Sequence, residues 1–331
     1  RNFVNCTIEF NKDFTLLCGK NGTGKTSLTE LVYKLTEFSA GEQSIDHVAS
    51  IYDVPRWDLK DFGRYYTNIQ FMYRVSEGLF TYSLQIEHDM RLRDCRISQE
   101  SLSLDGLLLY TYDLKKEEQV WLITDDNREF TYPSDWHYSG LPLAARRNSK
   151  TRKFCTNVSL CTNMYARFES EYAKALPKYI NQIASANDDY KYFIANLTNV
   201  SIDENNHILF TEKSGDSTYK MLFSELSLGQ KQLCMYYFLL NIAEVGSTLI
   251  LDDLESHLSP AELNPLYNKI LELATEKSIQ FILISHNSRF LNWFEKYAII
   301  LQLDNTHPVV HVEKVSTDSG ISLYDQIGEN V

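Results

Sequence analysis

Leu16-Leu17-Cys18-Gly19-Lys20-Asn21-Gly22-Thr23-Gly24-Lys25-Thr26-Ser27-Leu28 is the stretch whose reading decides the fold. Residues 19–26 satisfy Gly-x-x-x-x-Gly-Lys-Ser/Thr, the pattern of a loop that cradles phosphates. Glycines let the backbone fold tightly enough for successive N–H groups to point inward at an anion. Lys25 is then placed to reach the β- and γ-phosphates, and the Thr26 hydroxyl to ligate Mg2+. Asn21, Gly22, Thr23, Gly24 and Ser27 complete the candidate phosphate-binding set. The flanks agree with this: "FTLLC" before the loop reads as a buried strand, and "TSLTELVYKL" after it as a helix whose positive N-terminal end adds to the site. That helix is expected over about Lys25 to Leu35.

Bulk properties set the frame. The chain has 331 residues, 44% hydrophobic and 23% charged, which is near the globular average and sufficient for an ordinary core. No apolar run approaches the roughly 18 residues that span a bilayer, so no membrane association is expected. The six cysteines, at 6, 18, 95, 155, 161 and 234, show no Cys-x-x-Cys spacing. They read as reduced, packed thiols in a cytoplasmic protein, not as disulfides or a zinc site. Net charge is −12, whereas a protein wrapped in nucleic acid is usually basic over its contact face. The chain opens on Arg1 and not Met, so it is expected to be trimmed there, and a short leader would not be visible.

Outward from the loop, "YYTNIQFMYRV" and "GLFTYSLQIEH" read as two antiparallel strands turning at "SEG". Residues from about Met90 to Tyr138 hold further strand-like pieces such as "EEQVWLIT" and no usable motif. One basic cluster follows: Arg146, Arg147, Lys150, Arg152 and Lys153. Helical spacing runs from about Asn163 to Ile183, and "HILFTE" reads as a strand. From Leu226 the pattern is regular. A helix carried by Leu233, Tyr237 and Leu240 precedes the strand "TLILDD". A helix carried by Leu266, Ile270 and Leu273 precedes "IQFILIS", and the short helix "NSRFLNWF" precedes "YAIILQL". Such alternation indicates a parallel sheet covered on both faces. Ser259-Pro260-Ala261-Glu262 reads as a capping box with Pro at the first helical position. Pro265 implies a break after one turn or a restart capped by Asn264.

An apolar strand ending in two carboxylates is how a P-loop ATPase supplies its second Mg2+ contact. Asp252 is the candidate for that contact, and Asp253 for orienting or deprotonating the attacking water. "FSELSLGQKQL" contains Leu226-Ser227-Leu228-Gly229-Gln230, which resembles the LSGGQ signature of ABC-type ATPases. "ILISHN" ends a strand at His286, the position of their switch histidine, and "LESHLSP" occupies the place of their D-loop. The ordered set is similar to the ABC-type head ATPases, and within them to the SMC/RecF/OLD-like group of AAA-family proteins found in bacterial phage-defence systems. The similarity is specific over roughly residues 1–35 and 220–305.

The resemblance implies an α/β fold: a P-loop NTPase head with a mixed, largely parallel sheet, an antiparallel β subdomain and a helical lobe. On this reading residues 1–47 and 220–314 form the nucleotide-binding core, 48–140 the antiparallel insertion and 141–219 the helical lobe of a single head. It also implies ATP and Mg2+ as cofactors, Asp253 and His286 as catalytic groups, and a homodimer or higher homo-oligomer. In such a dimer Ser227, Gly229 and Gln230 of one copy complete the ATP site of the other. Three departures stand out. Asp253 occupies the usual place of Glu, one methylene short, which implies slow hydrolysis. Leu228 replaces a glycine. The Q-loop glutamine has no clear place; Gln70 and the loop around Leu141 to Ala145 are both candidates.

Between Thr26 and Leu226 the chain is longer than transporter nucleotide-binding domains need, yet too short and non-heptad for a long coiled coil. After His286 only one or two strands are expected before "GISLYDQIGENV", leaving no room for the nuclease domain of OLD proteins. The resemblance therefore points to an ATP-driven dimeric switch that controls a separate effector, a nuclease or toxin, in anti-phage defence. The alternative is a RecF/SMC-like clamp on duplex DNA, supported by the five-charge cluster. Five phosphate contacts would give steep salt dependence.

Overall fold

The computed structural model describes residues 3, 6–49, 63–116, 119–133, 135–159, 161–163, 197–202, 208–252, 254–255, 257–285, 293–294, 296–304 and 310–315. They fall into two units. One is built from the stretches 5–26, 162–306 and 311–331, the other from 27–161 with 1–4 and 307–310.

The first unit is organised by a six-stranded sheet. Its strands are β1 (Phe14–Cys18), β8 (Cys161–Asn163), β12 (Thr248–Asp252), β13 (Gln280–Ile284), β14 (Ala298–Asp304) and β15 (His311–Lys314), in the order β15-β14-β1-β13-β12-β8. β1 lies parallel between β13 and β14, and β12 parallel to β13, while β15 closes the described edge antiparallel to β14. All five residues of β1 are buried, as are four of five in β12 and in β13. That is the reason these strands read as unbroken apolar runs: both faces of a parallel strand are covered. Helices α5 (Leu228–Ile242) and α6 (Pro260–Glu276) contribute Leu233, Tyr237, Leu240, Leu266, Ile270 and Leu273 to the core, the positions their periodicity assigned to it. Phe14 stacks on Phe281 at 5.6 Å and meets Phe294 at 5.5 Å.

α6 corrects the expectation at Pro265. The helix runs unbroken through it, with Pro260 at its start. Pro265 lacks only the N–H that would bond the carbonyl four residues back, a local loss that packing of Leu263, Leu266 and Tyr267 outweighs. At the start of α6 the Glu262 carboxylate accepts from the Ser259 N–H and hydroxyl, each at 2.7 Å. This unit also holds a three-stranded antiparallel sheet of β9 (Leu197–Ile202), β10 (Ile208–Ser214) and β11 (Ser217–Leu222). Most of it falls inside the span assigned to a helical lobe, 141–219, of which 164–196, including most of the helical spacing noted above, lies outside the described residues.

α1 (Lys25–Ala40), which belongs to the second unit from Ser27 onward, outruns the expected end at Leu35. The hydroxyls of Thr36 and Ser39 bond back to the carbonyls of Tyr33 and Thr36, so the polar tail stays helical. The helix ends at Gly41, where Gly41 N–H donates to Phe38 and Glu42 N–H to Glu37, a Schellman closure. α2 (Ile45–Val48) follows, then six antiparallel strands in sequential order: β2 (Arg64–Val75), β3 (Gly78–Asp89), β4 (Asp94–Leu104), β5 (Leu107–Asp113), β6 (Gln119–Ile123) and β7 (Glu129–Pro133). α3 (Leu141–Ala145) and α4 (Ser149–Ser159) complete it. One sheet face carries Phe80, Tyr82, Leu84 and Ile86 of β3 into a core shared with Leu35, Phe38 and Phe154. The other is polar: Gln70, Ser83, Ser101, Thr111, Trp121 and Thr131 stand in register across all six strands and line an open cleft.

Inside that core sits a carboxylate. Glu100 is 1% exposed and accepts from Tyr82 Oη at 2.8 Å, Tyr110 Oη at 2.6 Å, Ser139 Oγ at 2.6 Å and Gly140 N at 3.2 Å. Burial raises its pKa above the usual glutamate value and outweighs the four donors, which pull it down.

Candidate nucleotide site

Register puts the site at the carboxyl edge of the parallel strands. Leu17 of β1 and Asp252 of β12 both pair with Ile284 of β13, so the three strands end at one level. Ligands in open α/β sheets bind beyond those ends. The loop leaves β1 there. Gly19 has φ +130°, and a Cβ on it would lie 2.2 Å from the Leu303 carbonyl oxygen of the neighbouring strand. Only glycine allows β1 to turn that closely under β14. Thr23, 3% exposed, ties the loop to itself by donating from N at 3.3 Å and from Oγ1 at 3.0 Å to the Lys20 carbonyl. Gly24 is buried, while Asn21 and Gly22 are exposed at the rim.

Lys25 opens α1 and is 4% exposed. Its Nζ donates to the carbonyls of Gly19 at 2.6 Å and Lys20 at 2.9 Å, arched over the loop that would hold the phosphates. Thr26 Oγ1 donates to Asp252 Oδ2 at 2.8 Å. These two oxygens, 226 positions apart in sequence, are the hard donors a Mg2+ takes alongside nucleotide phosphates. The donor set fits that ion: Thr26 and Asp252 would hold it, and bound there it would neutralise charge on the β- and γ-phosphates. No cluster of three or more His, Cys, Asp or Glu suited to a metal occurs among the described residues. Cys18, beside the loop, is a packing thiol. Burial pushes its pKa up to about 12 despite the charge of Lys25.

The signature segment starts α5. Ser227 is the N-cap: its Oγ accepts from Gln230 N at 3.2 Å, and its N–H donates to Gln230 Oε1 at 3.0 Å, a reciprocal capping box. Ser227 is exposed, and Leu228 is 58% exposed. A Cβ on Gly229 would lie 2.5 Å from the His257 carbonyl oxygen. Close packing on the segment after β12 therefore explains this glycine.

Asp253 and His286 lie outside the described residues. Gln70 belongs to the second unit, inside strand β2 and not in a loop; its amide donates to Ser83 Oγ at 3.5 Å across the hairpin. The alternative Q-loop at 141–145 is the helix α3, with Leu141 and Ala144 buried. The basic cluster is partly committed within its own unit. Arg147 lies 3.9 Å over the Phe130 ring, Arg152 Nε donates to the Ala145 carbonyl at 3.0 Å, and Lys153 pairs with Glu77. Arg146, Arg147, Lys150 and Arg152 are all exposed, and Lys153 is half-buried. Sequence reasoning passed over Glu255 and Ser285, although both lie in quoted motifs. Ser285 Oγ donates to Glu255 Oε1.

A phosphate loop on an inner strand of a largely parallel sheet, with Thr26 bonded to a strand-end Asp, defines a P-loop NTPase fold. The comparisons carry this to a family. A family model described as "AAA domain, putative AbiEii toxin, Type IV TA system" matches residues 14–292, well over half of the chain, and the chain belongs to that family. No curated protein matches it in sequence. Among solved structures, an SMC head bound to the C-winged helix domain of ScpA is similar at 14% identity and TM-score 0.55, covering 94% of this chain and 92% of that one. That likeness shows the fold. The SMC head domain from Thermotoga maritima aligns at 16% identity, TM-score 0.48, with 93% and 92% covered. An Smc head from Pyrococcus furiosus, bound to the C-terminal domain of ScpA, aligns at 12% identity, TM-score 0.46, with 97% and 94% covered. No helix among the described residues is long and apolar enough to cross a membrane.

Proposed function

We propose that this chain binds and hydrolyses ATP with Mg2+ as a dimeric switch, and that the switch controls a separate effector protein, a nuclease or toxin, in bacterial anti-phage defence. The observation that supports it most is the Thr26–Asp252 hydrogen bond at the strand ends, with Lys25 poised over the same loop. The exposed Ser227 and Leu228 at the start of α5 suit a segment that covers the ATP of a second copy. Asp253 then works on the attacking water, one methylene short of the usual Glu, and turnover is slow. His286 meets the γ-phosphate. The family description points toward toxin systems, and the SMC head of the solved structure carries a separate protein partner.

The test is ATP binding, turnover and native assembly mass, with and without ATP. Lys25→Ala should lose binding or hydrolysis, and Asp253→Ala should trap an ATP-bound dimer. A Lys25→Ala chain with wild-type turnover would sink the site. Co-purification of an effector with the dimer supports the switch. A dimer that comes alone and binds duplex DNA with steep salt dependence supports the clamp instead. Arg146, Arg147, Lys150 and Arg152 are exposed charges that favour that second reading; the contacts that Arg147, Arg152 and Lys153 already make within their own unit weigh against it.

A further inference from the structure

The turn after Asp252 is held at three points inside one unit. Leu254 is fully buried in the core. Glu255 Oε1 accepts the hydroxyl of Ser285. His257, at φ +61°, presents its carbonyl to Gly229 at the start of α5 so closely that no side chain fits between them. Ser285 is itself 1% exposed, and its N–H donates to the Leu17 carbonyl at 3.3 Å. The end of β13 is thus clamped twice, by its backbone to β1 and by its side chain to Glu255. The next residue in sequence is His286.

We propose that Glu255 is a positioning residue for ATP hydrolysis: through Ser285 it holds the end of β13, the strand whose last residue, Ile284, pairs with Asp252 at the site. The inference rests on the ATPase reading above. Its physical basis is the cost of misplacement. A group that must meet a reacting phosphate in line loses much of its effect when displaced by an ångström. The Ser285 side-chain bond to the Glu255 carboxylate adds a restraint on the strand end beyond its backbone bond to Leu17. What the clamp needs from Glu255 is an acceptor oxygen facing Ser285. A negative charge is not required.

Steady-state turnover and ATP affinity of the full chain, with Mg2+, test this in Glu255→Ala, Glu255→Gln, Ser285→Ala and the double variant Glu255→Ala/Ser285→Ala. Expected is a fall in kcat of about tenfold in Glu255→Ala and in Ser285→Ala, with ATP affinity within about twofold of wild type. The double variant should be no slower than the worse single one, since both remove one clamp. Glu255→Gln should keep most of the activity, because its amide oxygen still accepts from Ser285. Glu255→Gln as slow as Glu255→Ala overturns the proposal, since charge would then be what matters. So do losses that multiply in the double variant, or affinity that falls in step with kcat. If Glu255→Ala does not fold, Ser285→Ala decides alone: wild-type kcat there overturns the inference while leaving the ATPase reading intact. A wild-type chain that binds no ATP sinks that reading, and this one with it.

Discussion

Two residues show how much a single position can carry. Gly19 combines φ +130° with a Cβ position 2.2 Å from the Leu303 carbonyl oxygen. Gly19→Ala must therefore move β1 away from β14 or distort the loop. The expected outcome is loss of ATP binding together with a stability loss of more than about 1 kcal/mol, read by nucleotide titration and thermal melting; a variant that binds ATP normally contradicts the geometry. Glu100 offers a pH test. Its folded-state pKa is raised, burial being the main cause, so the folded chain holds this proton more tightly than the unfolded one. The contribution is fully present below the ordinary glutamate value and is lost as pH rises through the folded value. Glu100→Gln cannot titrate. The melting temperature of wild type minus that of Glu100→Gln should therefore fall as pH rises above the ordinary glutamate value, and a difference that grows on that side refutes the raised pKa. Glu100→Ala is harsher. It strands the donors of Tyr82, Tyr110 and Ser139 in a closed core, at a cost of at least about 3 kcal/mol in melting experiments.

Elements show where the sequence was legible and where it was not. At the start of α5, Ser227 and Gln230 close a capping box, so Ser227→Ala should cost about 1 kcal/mol in denaturant midpoint and speed hydrogen exchange at Gln230 N. An unchanged exchange rate there would mean the cap does not form. β1, β12, β13 and α6 were readable because each obeys one local rule: an unbroken apolar run for a strand covered on both faces, a 3.6-residue stripe for a helix on the sheet. The β2–β3 hairpin was readable from alternation and its short turn. β4 and β5 were not placed, although Asp105-Gly106 between them is a strong hairpin signal, with φ +48° and +83°. Pro265 misled because a rule about helix interiors was applied where core packing of the neighbouring residues dominates. Gln70 was hard to read because residue type alone cannot separate a loop glutamine from one on the polar face of a sheet, where it lies. The Thr26–Asp252 pair was anticipated from motif order, whereas the Glu255–Ser285 bond was not. Both residues stood in quoted motifs, but only the turn after β12 brings their side chains together.

At the scale of the whole molecule, the open matter is whether one chain contains a complete site. Lys25, Thr26 and Asp252 gather on one chain, while Ser227 and Leu228 stand exposed at the start of α5. On the composite reading the loop is broken by Lys25→Ala and the signature by Ser227→Arg, and the two lesions fall in different halves of each site. Neither variant alone should turn over ATP, because every site in its homodimer carries one lesion. Mixed in equal amounts, half of the dimers formed at random are heterodimers. Each of those holds one site with both lesions and one with neither. The mixture should then recover about a quarter of wild-type turnover, a consequence of two-fold symmetry and no other assumption than independent sites. Recovery should be lost on diluting the mixture below the dimer's dissociation constant. A mixture as inactive as its parents, under conditions where heterodimers are seen by mass, sinks the reading of independent trans sites. Full activity in Ser227→Arg alone would place the entire reaction within one chain and leave α5's exposed start to some other partner.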